Sequence, residues 1–358
     1  MLRNTLDAII EEISVGQCRR DITRYWTFRS TVPGPGLRAA SHFLAECYRR
    51  EGIAAEVLPY PADDRTEWVG GRKNSLEWAP RSARLDIVEP CEQARMVCSM
   101  ADEPLCLVSN STATPPGGVT APVVVVRGGD KAEDYDGLDV AGAIVLVDTP
   151  ARNVDALARE RGAAGIISDC VYPPWMLTEY PPAREPQDTP DLVMWDILSG
   201  GRNETPLWAF SLSPRQGQRL RRAIRESAAP VLLRARVEAE LVEGTSEVVS
   251  ALLPGTDLAH EEVWLLAHSS EPDAEDNASG CCLAVEVAQD PETPGFLAVP
   301  LGERIITLSE MSLVSSGEVS DVWEFVGVLL PQGGFVLRVE PFGIEKEIQV
   351  DAGGLFEC

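Results

Sequence analysis

Two residues carry the clearest chemical potential in this chain. His268 ends the run Trp264-Leu-Leu-Ala-His268, and Asp276 opens Asp276-Asn-Ala-Ser-Gly280 eight residues later. Imidazole nitrogen and carboxylate oxygen are both donors that suit a divalent metal such as zinc. Five apolar residues, 263–267, precede His268, so its ring must find a polar partner or a metal. By residue type alone His268 is either a core histidine satisfied by its neighbours or a ligand. Asp276 and Asn277 are helix-capping types, and a carboxylate fixed at a helix start is also placed to bridge two cations. Glu271, Asp273 and Glu275 add negative charge nearby, with Glu271 read as solvated loop charge. Of the other two histidines, His42 falls off the apolar face of its helix and His260 sits in a polar turn, so both read as surface residues.

Such a site needs a strand to deliver the imidazole and a helix to present the carboxylate. Residues 262–267 form the strand pattern and 278–288 the helix pattern. Ligands in open α/β sheets bind outside the carboxyl ends of the strands, which is where His268 falls. Upstream, Leu2, Leu6, Ile9, Ile10 and Ile13 predict a helix over 2–14. Gly34-Pro-Gly36 breaks the chain before a second helix at about 37–51, with Ala40, Phe43, Leu44, Cys47 and Tyr48 as its core face and Gly52 as its stop. A strand is expected at 54–59, a loop at 61–80 and a strand at 83–88 packed near Trp78. Strands follow at 123–126, 144–147 and from 166, with a short helix around Val154, Leu157 and Ala158 ended by Gly162. Six prolines within 172–192 mark a long surface loop. Ser213-Pro-Arg-Gln216 is a capping box for the next helix. Two strands, 231–242 and 247–253, read as a hairpin turned at Glu243-Gly244. Beyond 290 the prolines cluster, and the remainder leans to strands at 304–308, 322–330, 334–339 and 347–350.

Charge narrows the partners. With 31 basic and 56 acidic residues the net charge is −25, which disfavours nucleic acid and anionic membrane surfaces. The N-terminus lacks the continuous apolar stretch of a signal peptide, and no run reaches the ~18 apolar residues of a membrane span. The nine cysteines are scattered with no C-x-x-C pair, as expected of reduced thiols in a cytoplasmic protein. Cys281-Cys282 reads as small, buried packing residues. The chain contains no G-x-S-x-G, P-loop, H-E-x-x-H or G-x-G-x-x-G.

The segment from Leu265 through His268 and Pro272-Asp-Ala-Glu-Asp276-Asn-Ala-Ser-Gly280 resembles the first metal-binding segment of the zinc-dependent aminopeptidases of the glutamate-carboxypeptidase type, in their bacterial aminopeptidase-like branch. Val123–Val126, Gly142-Ala-Ile-Val-Leu-Val147, Gly162-Ala-Ala-Gly-Ile-Ile167 and the capped helix within 207–226 resemble the protease-associated domain inserted in many of these enzymes. Val248-Val-Ser-Ala-Leu-Leu-Pro-Gly255 is similar to the family's return into the peptidase fold. The resemblance covers 1–290. It implies an α/β fold with a mixed sheet flanked by helices, incomplete here, and an inserted β-rich domain. The implied division is 1–98 with 243–290 as the peptidase-like part, 99–242 as the insert and 291–358 as a divergent tail. It further implies hydrolysis of a peptide or small amide, with one or two zinc ions. His268 would hold one ion, Asp276 would bridge two, and a glutamate after the next strand would be the general base. Two departures stand out. No histidine follows His268, and the base position offers only Glu310, after Arg304-Ile-Ile-Thr-Leu-Ser309. Ser270 occupies the place where the family often orients the imidazole with an acid. The implied function is therefore a metallo-aminopeptidase-like hydrolase with an incomplete site, or a catalytically silent or truncated relative that binds rather than cleaves.

Overall fold

The computed structural model describes residues 13–67, 73–171, 188–253, 262–272, 274, 277–288, 302–308, 324–329, 335–340 and 346–350. The expected helix at 2–14 and most of the 172–192 loop lie outside them. The first described helix, α1, is Val15–Trp26, capped by the Ser14 hydroxyl, which accepts from the Gln17 amide. Cys18, Ile22 and Tyr25 line its inner face. Helix α2, Pro35–Arg50, starts with proline in its first turn and stops before Gly52, whose φ of 78° only glycine adopts cheaply. Ala40, Leu44, Cys47 and Tyr48 are buried on it, as their spacing predicts, while Phe43 is half-buried and Ala45 joins the buried face.

Strands β1, Ala54–Ala62, and β2, Glu77–Glu89, follow. Strand β2 is longer than its alternating 83–88 stretch, because Trp78, Ala79 and Pro80 continue the ladder against Leu241, Glu240 and Ala239. Next come β3 (Arg95–Ser99), β4 (Val119–Val125), β5 (Ile144–Val147), α3 (Ala151–Glu160), β6 (Gly165–Ser168) and β7 (Ala209–Ser211). Helix α4, Pro214–Glu226, carries the full capping box, with Ser213 and Gln216 bonded reciprocally. The remaining elements are β8 (Leu232–Val242), β9 (Gly244–Leu253), β10 (Glu262–His268), α5 (Ala278–Val287), β11 (Gly302–Leu308), β12 (Glu324–Leu329), β13 (Phe335–Glu340) and β14 (Lys346–Val350).

These strands make three sheets. A seven-stranded sheet has the order β3-β2-β8-β4-β5-β6-β7, antiparallel on one side and parallel from β4 to β7. Strands β2 and β3, which the sequence reading placed before residue 99 in the first segment, belong to this sheet. A four-stranded mixed sheet has the order β1-β9-β11-β10. Strand β11 pairs parallel with β10 and antiparallel with β9, so residues 302–308 join this sheet rather than the separate tail that 291–358 suggested. Strands β12, β13 and β14 form an antiparallel sheet of their own.

Strands β8 and β9 are not a hairpin. The chain leaves the seven-stranded sheet at Val242 and enters the four-stranded one at Gly244. Physically, the turn at Gly244 passes hard against the Glu77 side chain, where a Cβ would collide with the Glu77 carboxylate. Arg38 of α2 locks this crossing. Its guanidinium donates to Glu77 at 2.7 Å and to Glu247 at 2.9 Å, joining the first helix layer to both sheets. Helix α2 and α5 cover the face of the four-stranded sheet that carries Val249, Ala251 and Ala267.

Candidate functional site

Strand β10 and helix α5 are joined by 269–277, and α5 leads to the parallel strand β11. The result is a strand–helix–strand crossover, the connection that a parallel strand pair needs. It brings His268 to the carboxyl end of β10, opposite Leu308 at the end of β11. The ring is half-buried. Its Nδ1 lies 3.9 Å from Glu271 Oε1, beyond hydrogen-bond length but close enough for attraction when the ring is protonated. Glu271 is thus not merely a solvated loop charge, as its sequence position suggested. Ser270, where an orienting acid was looked for, is buried.

The main chain beneath the imidazole is pinned from two helices. The Cys281 thiol of α5 donates to the His268 carbonyl at 3.2 Å. The Tyr25 hydroxyl of α1 donates to the Ser269 carbonyl at 2.7 Å. Burial pushes the Cys281 thiol up to about 12 and raises the Tyr25 phenol as well, so both keep their protons at neutral pH and remain donors. Cys281 and Cys282 are buried packing residues of α5, as their types suggested. A thiol held protonated in this way serves as a hydrogen-bond donor and not as a thiolate nucleophile at neutral pH. No local pattern marks Tyr25, which reaches the site across 244 positions of chain.

Gly280, the last residue of the motif, has a local reason. A Cβ there would collide with the Asn277 side-chain oxygen, so only glycine lets that amide fold over the first turn of α5. Asn277 occupies the N-cap position of α5 without a side-chain capping bond.

Asp276 and Glu310, and the distant His260, lie outside the described residues. His42 is exposed on α2, as expected. Among the described residues no group of three or more His, Cys, Asp or Glu side chains comes together to hold a metal ion. One imidazole and one carboxylate at 3.9 Å from it are fewer donors than a zinc site requires, so the described residues do not by themselves fit zinc.

No protein-family model matches the sequence, and a comparison with curated proteins gives no match. Solved structures do match the fold. A zinc aminopeptidase from Bacillus subtilis superposes with a TM-score of 0.52 at 17% identity, over 82% of this chain and 61% of that one. A peptidase M28 precursor from Shewanella amazonensis superposes with a TM-score of 0.54 at 16% identity, over 86% of this chain and 66% of that one. The chain therefore spans less than two thirds of the length of either structure. At such identity the likeness is one of fold: a mixed α/β architecture, with a central sheet flanked by helices, shared with zinc aminopeptidases and M28 peptidases.

Proposed function

We propose that this chain is a peptidase-like hydrolase whose reaction centre lies at the carboxyl edge of β10 and β11. The observation that supports it most is the place of His268. A lone polar ring ends an apolar strand where a parallel crossover opens a sheet edge, within a fold shared with zinc aminopeptidases. The substrate class is a peptide or small amide, bound by its N-terminal residue. Asp276 and Glu310 are the further residues assigned to the centre, as metal ligand and general base. The finer assignment to the bacterial aminopeptidase-like branch, with residues around 99–242 as a protease-associated insert, belongs to the same reading. One or two zinc ions are the cofactor it calls for.

The second reading is a silent relative that binds without cleaving. It is favoured by Ser270, which lies buried beside His268 at the position where the family often has an acid to orient the imidazole. Elemental analysis of the purified chain, with turnover of leucine p-nitroanilide, separates the two. The hydrolase reading expects bound zinc and a turnover that His268→Ala abolishes. A chain that takes up no metal at micromolar free zinc and leaves the substrate intact is the silent relative.

A further inference from the structure

Helix α4 reverses the charge of the molecule. In a chain of net charge −25 it carries five arginines and one acid, Glu226 at its last position. Leu220 and Ala223 bury its inner face in the core of the seven-stranded sheet. Arg221 is largely buried, and Asp169 takes its guanidinium with two bonds of 2.8 Å. The other four arginines are exposed. At 3.6 residues per turn Arg215, Arg219 and Arg222 fall within about 60° of one another, and Arg225 borders them. From Arg215 to Arg225 the row is about 15 Å long, at 1.5 Å per residue.

Helix stability alone does not account for this row. A cation in the last turn suits the helix dipole, which explains Arg225. Arg215 lies in the first turn, where the dipole disfavours a cation, and like charges three and four residues apart repel. The row also shows what it accepts. Arg215 grips Asp191 with both arms of its fork, at 2.7 and 2.9 Å, and its amide donates to the Pro190 carbonyl at 2.9 Å. A stretch of main chain and its carboxylate thus already rest on the first arginine. Among the described residues no carboxylate makes an ion pair with Arg219, Arg222 or Arg225.

We propose that the α4 arginine row is a docking surface for an acidic peptide segment of a partner protein. Its carboxylates take the forks of Arg219, Arg222 and Arg225, beyond the place held by Asp191. Bidentate pairing of guanidinium with carboxylate is strong and directional, and this helix already uses it twice. An extended peptide sets alternate side chains about 6.6–6.8 Å apart on one side, close to the ~6 Å rise from Arg215 to Arg219. Nucleic acid fits less well, because the helix has no aromatic side chain on which a base could stack. A lipid surface also fits less well, because no large apolar side chain is exposed on α4 to enter it. The inference is independent of the hydrolase reading, since no residue of the row belongs to the His268 edge.

The test uses the full chain and a fluorescein-labelled peptide of alternating Glu and Ser, about eight residues long, enough to span the row. Fluorescence anisotropy is expected to show saturable binding with a Kd of about 1–100 μM that weakens as salt rises. Arg219→Glu combined with Arg222→Glu is expected to weaken it at least about tenfold. Arg19→Glu combined with Arg20→Glu, exposed on α1, changes the net charge equally and is expected to alter binding less than about twofold. Where the reversed α4 pair fails to fold by circular dichroism, Arg219→Gln with Arg222→Gln removes the charge, keeps the helix propensity and is read in the same way. The absence of saturable binding overturns the inference, as does equal weakening by the α1 and α4 pairs. Oligothymidylate or phosphatidylserine vesicles that bind through these arginines more tightly than the peptide also overturn it, in favour of those partners. So does resistance of Arg219 and Arg222 to phenylglyoxal in the chain alone, which means that the chain itself or a second copy covers the row.

Discussion

The turn that carries the imidazole of His268 is pinned through its main-chain carbonyls. Tyr25 and Cys281 are positioning residues, each donating one hydrogen bond to the turn that follows β10. Tyr25→Phe keeps the ring packing but strands the buried Ser269 carbonyl, a loss of about 1–3 kcal/mol. Chemical denaturation is expected to show that loss, and hydrogen exchange to show a looser 268–272 segment; an unchanged midpoint would mean that water replaces the hydroxyl. A second residue-scale expectation concerns pH. Asp63 accepts hydrogen bonds from the Arg65 and Thr66 amides and from the Thr66 hydroxyl, at 2.8–2.9 Å. Those amides hold its carboxyl down from 3.8 to about 2. Because the folded value is the lower one, the turn gains stability above the ordinary carboxylate range and loses it as pH falls through about 2. Carboxyl titration by carbon NMR is expected to find Asp63 in that low range, and Asp63→Asn to flatten this part of the acid limb.

Among elements, the decisive junction is the one that hands the chain from the seven-stranded sheet to the four-stranded sheet. Arg38 draws Glu77 of β2 and Glu247 of β9 onto one guanidinium, and both carboxylates are largely buried. Arg65 and Arg202 meet Glu243 in the same turn. Arg38→Met leaves two desolvated carboxylates facing each other, an expected cost of about 1–3 kcal/mol, tempered because Arg38 itself is partly exposed. Arg38→Lys keeps the charge but not the fork, so its denaturation midpoint should fall between the two. The motif glycine acts at the same scale. Gly280→Ala must expel the Asn277 amide from the first turn of α5, and it should lower stability while leaving the helix intact by circular dichroism.

For the molecule as a whole, the net charge of −25 sets the terms of any association. Like charges repel within the folded chain as well, so its urea midpoint is expected to rise as salt rises from 0.05 to 0.5 M, where the screening length contracts well below 10 Å. Urea denaturation across that series checks it, and an unchanged midpoint would mean that local ion pairs already offset the excess negative charge. No helix among the described residues is long and apolar enough to cross a membrane.

What the sequence determined by itself is local. The apolar run with a histidine at its end specifies β10, the Ser213-Pro-Arg-Gln216 box specifies α4, and the glycines at 52 and 162 stop their helices, because periodicity, capping and positive φ are written within a few residues. Only the tertiary structure decided which sheet each strand joins. Strands β8 and β9 are adjacent in sequence and share a turn, yet side-chain demands at Glu77, Arg38 and Glu247, with Arg38 39 and 209 positions from its two partners, send them into different sheets. Tyr25 under the His268 loop and Glu271 beside its ring are of the same kind. Such contacts are set by how layers stack, and packing of distant segments leaves no periodic trace in the chain.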